Sequence, residues 1–513
     1  NLGAERNRLH LLAGQILEEA SRLRPDETLE EVAYHFLQGG SREKGLHYAE
    51  RAGEKCARLY AYAPALEFFL KAIALLPRPE SRRRMEIFAK IARIHIQSAN
   101  YAEMQDYLNR GLRIARALQD RSREGHFIAS IAYGHLLQGH FELAVRNARL
   151  ALALFEPLGD HLGMGRAKNF VATAYARMNQ FEEAIPHFVQ ALEHLETAGD
   201  PEQTVIVRHN LGNVHLCQNR VEEGLRLFRE ALETMRRIGD RRGMAMTQIN
   251  IAQALKDLGN LEEAVSSAQE AIRLYRETLD RTHLAVSLSS MTEIHLARGA
   301  YDLAEQFAGE SLKVRREIGE SFTVPLSLDL LGAARRCYGD LAGALEAHQE
   351  GLRISREHRN DLQEGFLLAA LALDSLEEGK LQEADLSAER SLVLAKRLRN
   401  RKMQAVALRV LVATALGTGQ AREAASRARD LDSLAAQEGS SEERCRAAWA
   451  LGLCRLAEGN PAEAGAALER SLDGAWRLGR LDISAEARLA LARTAEKAGT
   501  PEKALEFLRG AAE

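Results

Sequence analysis

The sequence predicts an all-α fold, a solenoid of about twelve helix pairs. Three observations predict it: a forty-residue step, columns of small residues that hold their phase, and helix-end signals at regular spacing. The step shows first in Leu261-Glu262-Glu263-Ala264. Forty residues earlier stands Val221-Glu222-Glu223-Gly224, and before it Phe181-Glu182-Glu183-Ala184. Forward lie Tyr301 to Ala304, Leu341 to Ala344, Leu381 to Ala384, Ala421 to Ala424, Pro461 to Ala464 and Pro501 to Ala504. Repetition at such a period is the signature of stacked supersecondary units.

The small-residue columns place helix contacts. One runs Gly111, Ala151, Ala191, Ala231, Ala271, Ser311, Gly351, Ser391 and Ser471, each followed by Leu or Ile. Another runs Ala92, Ala132, Ala172, Gly212, Ala252, Gly332, Ala372, Gly452 and Ala492, with Thr292 and Val412 as larger members. Small side chains let two backbones approach, and aliphatics fill the space between them. Within a step the apolar residues recur at three and four, as in Leu225, Phe228, Leu232 and Met235, the period of a helix.

The helix ends are punctuated. Gly259-Asn260 and Gly339-Asp340 set a C-terminal glycine before an N-cap residue. Gly159-Asp160, Gly199-Asp200 and Gly239-Asp240 repeat that logic at the other boundary. Pro461 and Pro501 take the first helical position, where a missing N–H does no harm. Pro186 falls inside a second helix, where it is expected to kink it or loosen its first turns.

Composition narrows the function classes. The 513 residues are 46% hydrophobic and 5% aromatic, which suits closely packed helices better than a β-sandwich. A net charge of −3 supplies no basic excess for bulk nucleic-acid binding. No apolar run reaches the length of a membrane span, so insertion is not expected. Cys56, Cys217, Cys337, Cys445 and Cys454 form no C-x-x-C pair and read as reduced thiols of a cytoplasmic protein. A chain beginning at Asn1 reads as a fragment or processed form, and the preference for Arg over Lys points to a GC-rich bacterial genome.

Candidate chemistry falls away case by case. Gly40 to Gly45 has the glycine spacing of a phosphate loop, but Leu46 stands where Lys is required. Gly159 to Gly165 is glycine-rich but follows a helix, whereas a dinucleotide fingerprint follows a strand. His95, His135, His215 and His295 share a phase. Neighbouring helices lie about 8–10 Å apart, so histidines on different repeats cannot share an ion with bonds of about 2 Å. They read as packing residues. No acid/base pair or nucleophile elbow stands out. The chain is expected to be no enzyme, with no cofactor and no metal.

The columns resemble the tetratricopeptide repeat, matching its pattern at Leu211, Gly212, Gly224, Phe228 and Ala231 and again at Tyr175, Ala184, Phe188 and Ala191. The common unit has 34 residues; the six extra here add about 9 Å of helix. With Asn210-Leu211-Gly212 and a closing Gly-Asp, the long form resembles LGN/Pins scaffolds. The resemblance implies a right-handed superhelix with ten repeats over 81–480 and a partial, capping repeat over 481–513. The unit 401–440 departs most, with Asp432 in place of an aliphatic. Residues 1–40, with helices expected over Arg6 to Leu23 and Thr28 to Leu37, read as a helical linker segment. Residues 41–80 read as an atypical first pair. Through Gly39-Gly40-Ser41, Lys44 to Gly53 and Ala61 to Phe69, the first eighty residues resemble the segment that joins the ATPase and winged-helix part of bacterial STAND-type regulators, adenylate-cyclase- and kinase-associated forms included, to their C-terminal repeats.

The resemblance implies a concave groove lined by the first helices. Its expected ligand-facing residues are Arg166, Asn169, Thr173, His209, Asn210, Asn213, Asn250, Gln253, Ser289 and Glu293, with Asp329 following. Arg166 matches an arginine that LGN-type grooves use toward acidic peptides; Ile206 and Met246 stand at its place in the next repeats. Toward the C-terminus the row turns apolar at Trp449, Leu453 and Leu489. The expected role is a non-catalytic protein–protein interaction module, the sensor or regulatory arm of a larger bacterial signalling protein with an ATPase or kinase upstream. A free-standing LGN-like adaptor and an accessory subunit of an enzyme complex remain alternatives, and self-association stays open.

Overall fold

A computed structural model describes residues 2–20, 27–437 and 441–512, so Ser21 to Leu23 of the first expected helix lie outside the described residues. Those residues form 26 α-helices in antiparallel pairs and contain no strand. Contacts divide the chain into two compact units, 1–210 and 211–513.

The first unit opens with Leu2–Ala20, Leu29–Gln38, Arg42–Arg58 and Tyr62–Leu75. Leu29–Gln38 is a packed element: Phe36 is 1% exposed and stacks on Tyr48 at 5.4 Å. The forty-residue pairs follow: Arg82–Gln97 with Tyr101–Ala117, Arg121–Leu137 with Phe141–Phe155, and His161–Arg177 with Phe181–Ala198. Phe181–Ala198 runs unbroken through Pro186, which removes one donor a turn and a half into the helix.

Pro201–Cys217 spans the boundary between the units and is followed by Val221–Ile238. The second unit continues with Arg241–Asp257 and Leu261–Glu277, Arg281–Arg298 and Tyr301–Ile318, Val324–Tyr338 and Leu341–Glu357. Then come Asp361–Glu377 and Leu381–Arg397, Arg401–Gly417 and Ala421–Ala436, Ser441–Ala457 and Pro461–Arg477. Leu481–Lys497 and Pro501–Ala512 close the series as a further helix pair.

The caps divide by position. Asp120, Asp160, Asp200, Asp240 and Asp280 each accept a bond from the backbone N–H three residues on, at the start of a first helix. That satisfies one of the donors a helix start leaves open. At the second helices Asp340 caps in the same way, but the expected cap at Asn260 is not made: its side chain accepts no such bond.

First helices pack on the first helices of neighbouring repeats, from Arg241–Asp257 through to Leu481–Lys497 in the second unit. The same holds between Arg121–Leu137 and His161–Arg177 in the first. Inner faces therefore belong to first helices. On the outside, ion pairs link consecutive second helices, Arg276 with Glu310 at 2.6 Å and Arg316 with Glu350 at 2.8 Å. Each is exposed and worth about 1 kcal/mol at most.

Within the second unit the stack comes round on itself. The loop at Gly259 meets the loop at Leu478 and Gly479, some five repeats further along the chain. A Cβ built on Gly259 would lie 2.7 Å from the Leu478 carbonyl carbon and 2.8 Å from its oxygen. The φ of +82° also demands glycine there. One repeat on, Gly299 faces Leu481, whose Cδ1 would lie 3.7 Å from an added Cβ. Gly419 holds the same place in its own repeat with a φ of +76° and nothing within 4 Å. Gly419→Ala should therefore cost about 1 kcal/mol, the left-handed penalty alone. Gly259→Ala should cost a further 1–3 kcal/mol, roughly the range for overpacking, because it also forces the two loops apart. Urea midpoints of the two variants check this; equal midpoints would remove the loop contact as a source of stability.

Candidate functional site

The inner faces are built by three positions on each first helix, exemplified by Arg166, Asn169 and Thr173. In the first unit Arg166 is half-buried and makes no ion pair with any described residue. Burial lowers its pKa, and the charge of Arg93 lowers it further. Asn210 Nδ2 donates to Asn169 Oδ1 at 3.1 Å, so these two amides present themselves jointly. Thr173 is half-exposed.

Three of the expected groove residues are not exposed. Asn169 is 7% exposed, His209 5% and Ser289 5%. Their column faces the seam between adjacent first helices, where the neighbour covers a short side chain. Ser289 is tied into the core: its hydroxyl meets Ser311 Oγ at 3.0 Å and donates to the Ala285 carbonyl at 3.1 Å. Asn213 is exposed, and Asn250 is half-exposed.

Gln253 and Glu293 are brought together, on the wall of a cavity of about 560 Å³ inside the second unit. Its walls come from both sides of the closed turn. Lys256 and Glu293 stand on one side, and Arg409, Glu442, Arg446 and Arg480 on the other. Leu216, Val221, Ala297, Leu373, Val406 and Leu431 supply apolar lining. That size and mixture fit the usual range for ligand pockets, about 300–1,000 Å³.

The wall charges are largely committed to one another. Lys256 Nζ meets Glu293 Oε2 at 2.5 Å. Burial works against the Glu293 carboxylate, but the charges of Lys256 and Lys402 outweigh it and lower its pKa. Glu442 is gripped by Arg446 at 3.1 Å and by Arg480. Burial opposes that charge too, yet the two guanidiniums hold the pKa down at about 2. Asp482 receives Arg480 at 2.8 Å and Arg446 at 3.0 Å. Burial raises the pKa of Asp257, whose Oδ1 accepts a bond from Gln253 Nε2 at 3.0 Å.

Lys402, Arg409, Glu442 and Arg446 lie outside the groove positions expected from the sequence, although a signal for some of them exists. Counting forward in forties from Asn169 reaches Arg409, and from Arg166 it reaches Val406 and Arg446. The phase-sharing histidines pack on the partner helix: His95 on Tyr107 at 5.7 Å and His295 on Phe307 at 5.4 Å, rings nearly parallel. Among the described residues, no three His, Cys, Asp or Glu side chains converge to hold a metal. Trp449 is half-buried against neighbouring helices, and Leu489 is 47% exposed.

Two family descriptions match, "MalT-like TPR region" over residues 165–334 and "Tetratricopeptide repeat" over 126–197. These are repeats of the tetratricopeptide type. No curated protein matches the chain. Among solved structures, it is similar to a signal transduction ATPase with numerous domains (STAND) that carries a tetratricopeptide repeat sensor, from Pyrococcus horikoshii. Identity is 17% and the TM-score 0.50, over 71% of this chain and 55% of that one. The apo form of RapI aligns at 15% identity and a TM-score of 0.47, over 54% of this chain and 99% of that one. A Rap protein complexed with competence and sporulation factor aligns at 13% and 0.46, over 75% and 99%. The likeness to the ATPase is one of fold, and the chain spans about half of that protein's length. No described helix is long and apolar enough to cross a membrane.

His209 carries a pH dependence. Burial lowers its pKa from 6.5 to about 4. The fold therefore favours the neutral ring, while the unfolded chain takes up a proton near pH 6.5. The resulting stability is complete above that pH and is lost as pH falls toward 4. The loss is about 2 kcal/mol by pH 5, at about 1.4 kcal/mol per pH unit. Burial shifts His95, His126, His135 and His295 in the same direction. The urea midpoint should drop between pH 7 and pH 5, and His209→Asn should flatten that drop; an unchanged slope would count against the assignment.

Proposed function

We propose that the chain is a non-catalytic protein-interaction module that takes a peptide or protein segment along the inner faces of its first helices. The observation that carries this reading is Arg166, a half-buried guanidinium on an inner face with no ion-pair partner among the described residues. A desolvated cation of this kind gains most from an acceptor brought by a ligand. The joined amides of Asn169 and Asn210, 3.1 Å apart, add donors and acceptors beside it. In the second unit, Gln253 and Glu293 would play the corresponding part, and exposed Asn213 stands on the same row.

In this reading the module is the sensor or regulatory arm of a larger bacterial signalling protein in the cytoplasm, with an ATPase or kinase part upstream. The repeats and the fold likeness to a STAND protein with a tetratricopeptide sensor support it. A free-standing adaptor of LGN type is the second reading, favoured by Asn210-Leu211-Gly212 and the forty-residue unit. A reading frame that extends upstream into an ATPase or kinase would separate the two.

The test is capture of a partner by the intact chain, followed by crosslink mapping and titration. Crosslinks should fall on first helices, and Arg166→Glu should weaken binding about tenfold or more, equivalent to about 1.4 kcal/mol. Crosslinks confined to second helices, or unchanged affinity in Arg166→Glu, would move the binding surface elsewhere.

A further inference from the structure

We propose that the cavity inside the second unit is a binding site for an organic anion with an apolar body, held by Arg409 and Lys402. This rests on the reading that inner faces bind ligands, and adds which ligand chemistry the second unit takes. Both cations lie on Arg401–Gly417, whose cavity-facing stripe is Lys402, Ala405, Val406 and Arg409. Those positions share one helix face. The two charges are about 10 Å apart along the axis at 1.5 Å per residue, with a small apolar saddle between them.

Charge accounting singles out these two residues. Lys256 is spent on Glu293, and Arg446 and Arg480 are spent on Glu442 and Asp482. Lys402 has no ion pair with any described residue within 4 Å. Arg409 has one distant partner, Glu486 at 3.7 Å, beyond hydrogen-bond reach. Its side chain is only 15% exposed, and its guanidinium donates no hydrogen bond to a described residue. Burial lowers its pKa to about 10, and the neighbouring Arg446 charge adds to the shift. A guanidinium carries five donors, and those of Arg409 face the cavity, open to water or to a guest. Asp257 on the same wall accepts a hydrogen bond from Gln253 and feels the charges of Lys256 and Lys402. Lys402 and Arg409 are the two wall cations without a hydrogen-bonded carboxylate partner among the described residues, and an anion is the guest that would engage both. The surrounding Leu373, Val406, Leu431 and Leu478 call for an apolar body.

Because the walls come from repeats that meet only by closure of the turn, a guest would bridge the two sides. It should therefore raise the stability of the loop contact at Gly259.

The test uses the full chain and two fluorescent probes that differ in charge. The probes are 8-anilinonaphthalene-1-sulfonate and its uncharged analogue N-phenyl-1-naphthylamine. The sulfonate should bind saturably and raise the denaturation midpoint, and the neutral analogue should bind about tenfold more weakly or worse. Arg409→Met should cost the sulfonate about tenfold in affinity, Arg409→Lys should retain most of it, and Arg353→Met, on the outer surface, should leave it unchanged. Without probe, Arg409→Met should raise the denaturation midpoint, since it removes a desolvated charge. Absence of saturable binding, equal affinity for the neutral analogue, or equal affinity in Arg409→Met would overturn the proposal. So would a lower probe-free midpoint in Arg409→Met, which would make Arg409 a structural partner of Glu486. Partner capture that still depends on Arg166 would show that the inner-face reading survives such a failure.

Discussion

The structure depends on one constraint: the two helices of each repeat must approach to a fixed separation, so the volumes that meet across the pair trade off. Gly212 lies under Phe228, where a Cβ would be 2.6 Å from the ring. Gly332 lies under His348 and Gly452 under Leu468, with equally little room. Where the second helix instead offers Ala308 or Ala428, the first helix fills the space with Thr292 or Val412. A glycine inside a helix costs about 1 kcal/mol relative to alanine, and it is tolerated here because a large residue opposite would otherwise have no place. The reciprocity holds in these pairs, while Ala132 with Ala148, Ala252 with Ala268 and Ala372 with Ala388 set small against small and let the helices close on neighbouring side chains.

The same trade-off admits polar groups to the core where geometry lets them be satisfied. His348 takes the place of the phenylalanines at 188 and 228, and both its ring nitrogens face oxygens. Nδ1 stands 2.5 Å from Asp374 Oδ2, and Nε2 lies 3.2 Å from the Asp329 carbonyl. Arg336 completes the group by donating to Asp374 at 2.9 Å. With Asp374 fully buried, loss of any one partner would strand a charge in the interior, which costs roughly 3–5 kcal/mol. The preceding repeat carries a buried charge of its own at Arg315, 2% exposed, which reaches Ser289 and lies 3.8 Å from Glu320.

The fold was legible because its determinants are local and periodic. Small columns, Asp caps and the three-and-four apolar spacing each speak within a single repeat, and every repeat restates them. The inner face was legible in phase but not in depth. Asn169, His209 and Arg409 occupy one column, yet the first two are covered by a neighbouring helix while the arginine is long enough to reach the cavity. Whether a side chain in that column is core or surface depends on its length and on how closely first helices approach. Neither the meeting of Gly259 with Leu478 nor the cavity behind it could be read, because a contact between loops five repeats apart depends on the pitch summed over all intervening pairs. Small rotations at each interface decide it, and no motif records them.

That long-range closure changes what the charged residues mean. On an open inner face, Glu442, Arg446, Arg480 and Asp482 would be a solvated network of little energetic weight. Inside a closed turn they are partly shielded from water, burial works against the Glu442 charge, and Arg446 and Arg480 beside it hold its pKa down at about 2. A wall built this way has little room for a charge that is only loosely paired. Arg409 is such a charge: helix geometry would allow an aliphatic at its position, as Leu489 shows two repeats later. Its place beside a cavity, without a hydrogen-bond acceptor among the described residues, sets a cost in desolvation against a gain in binding, and that trade is where function is most directly read from packing.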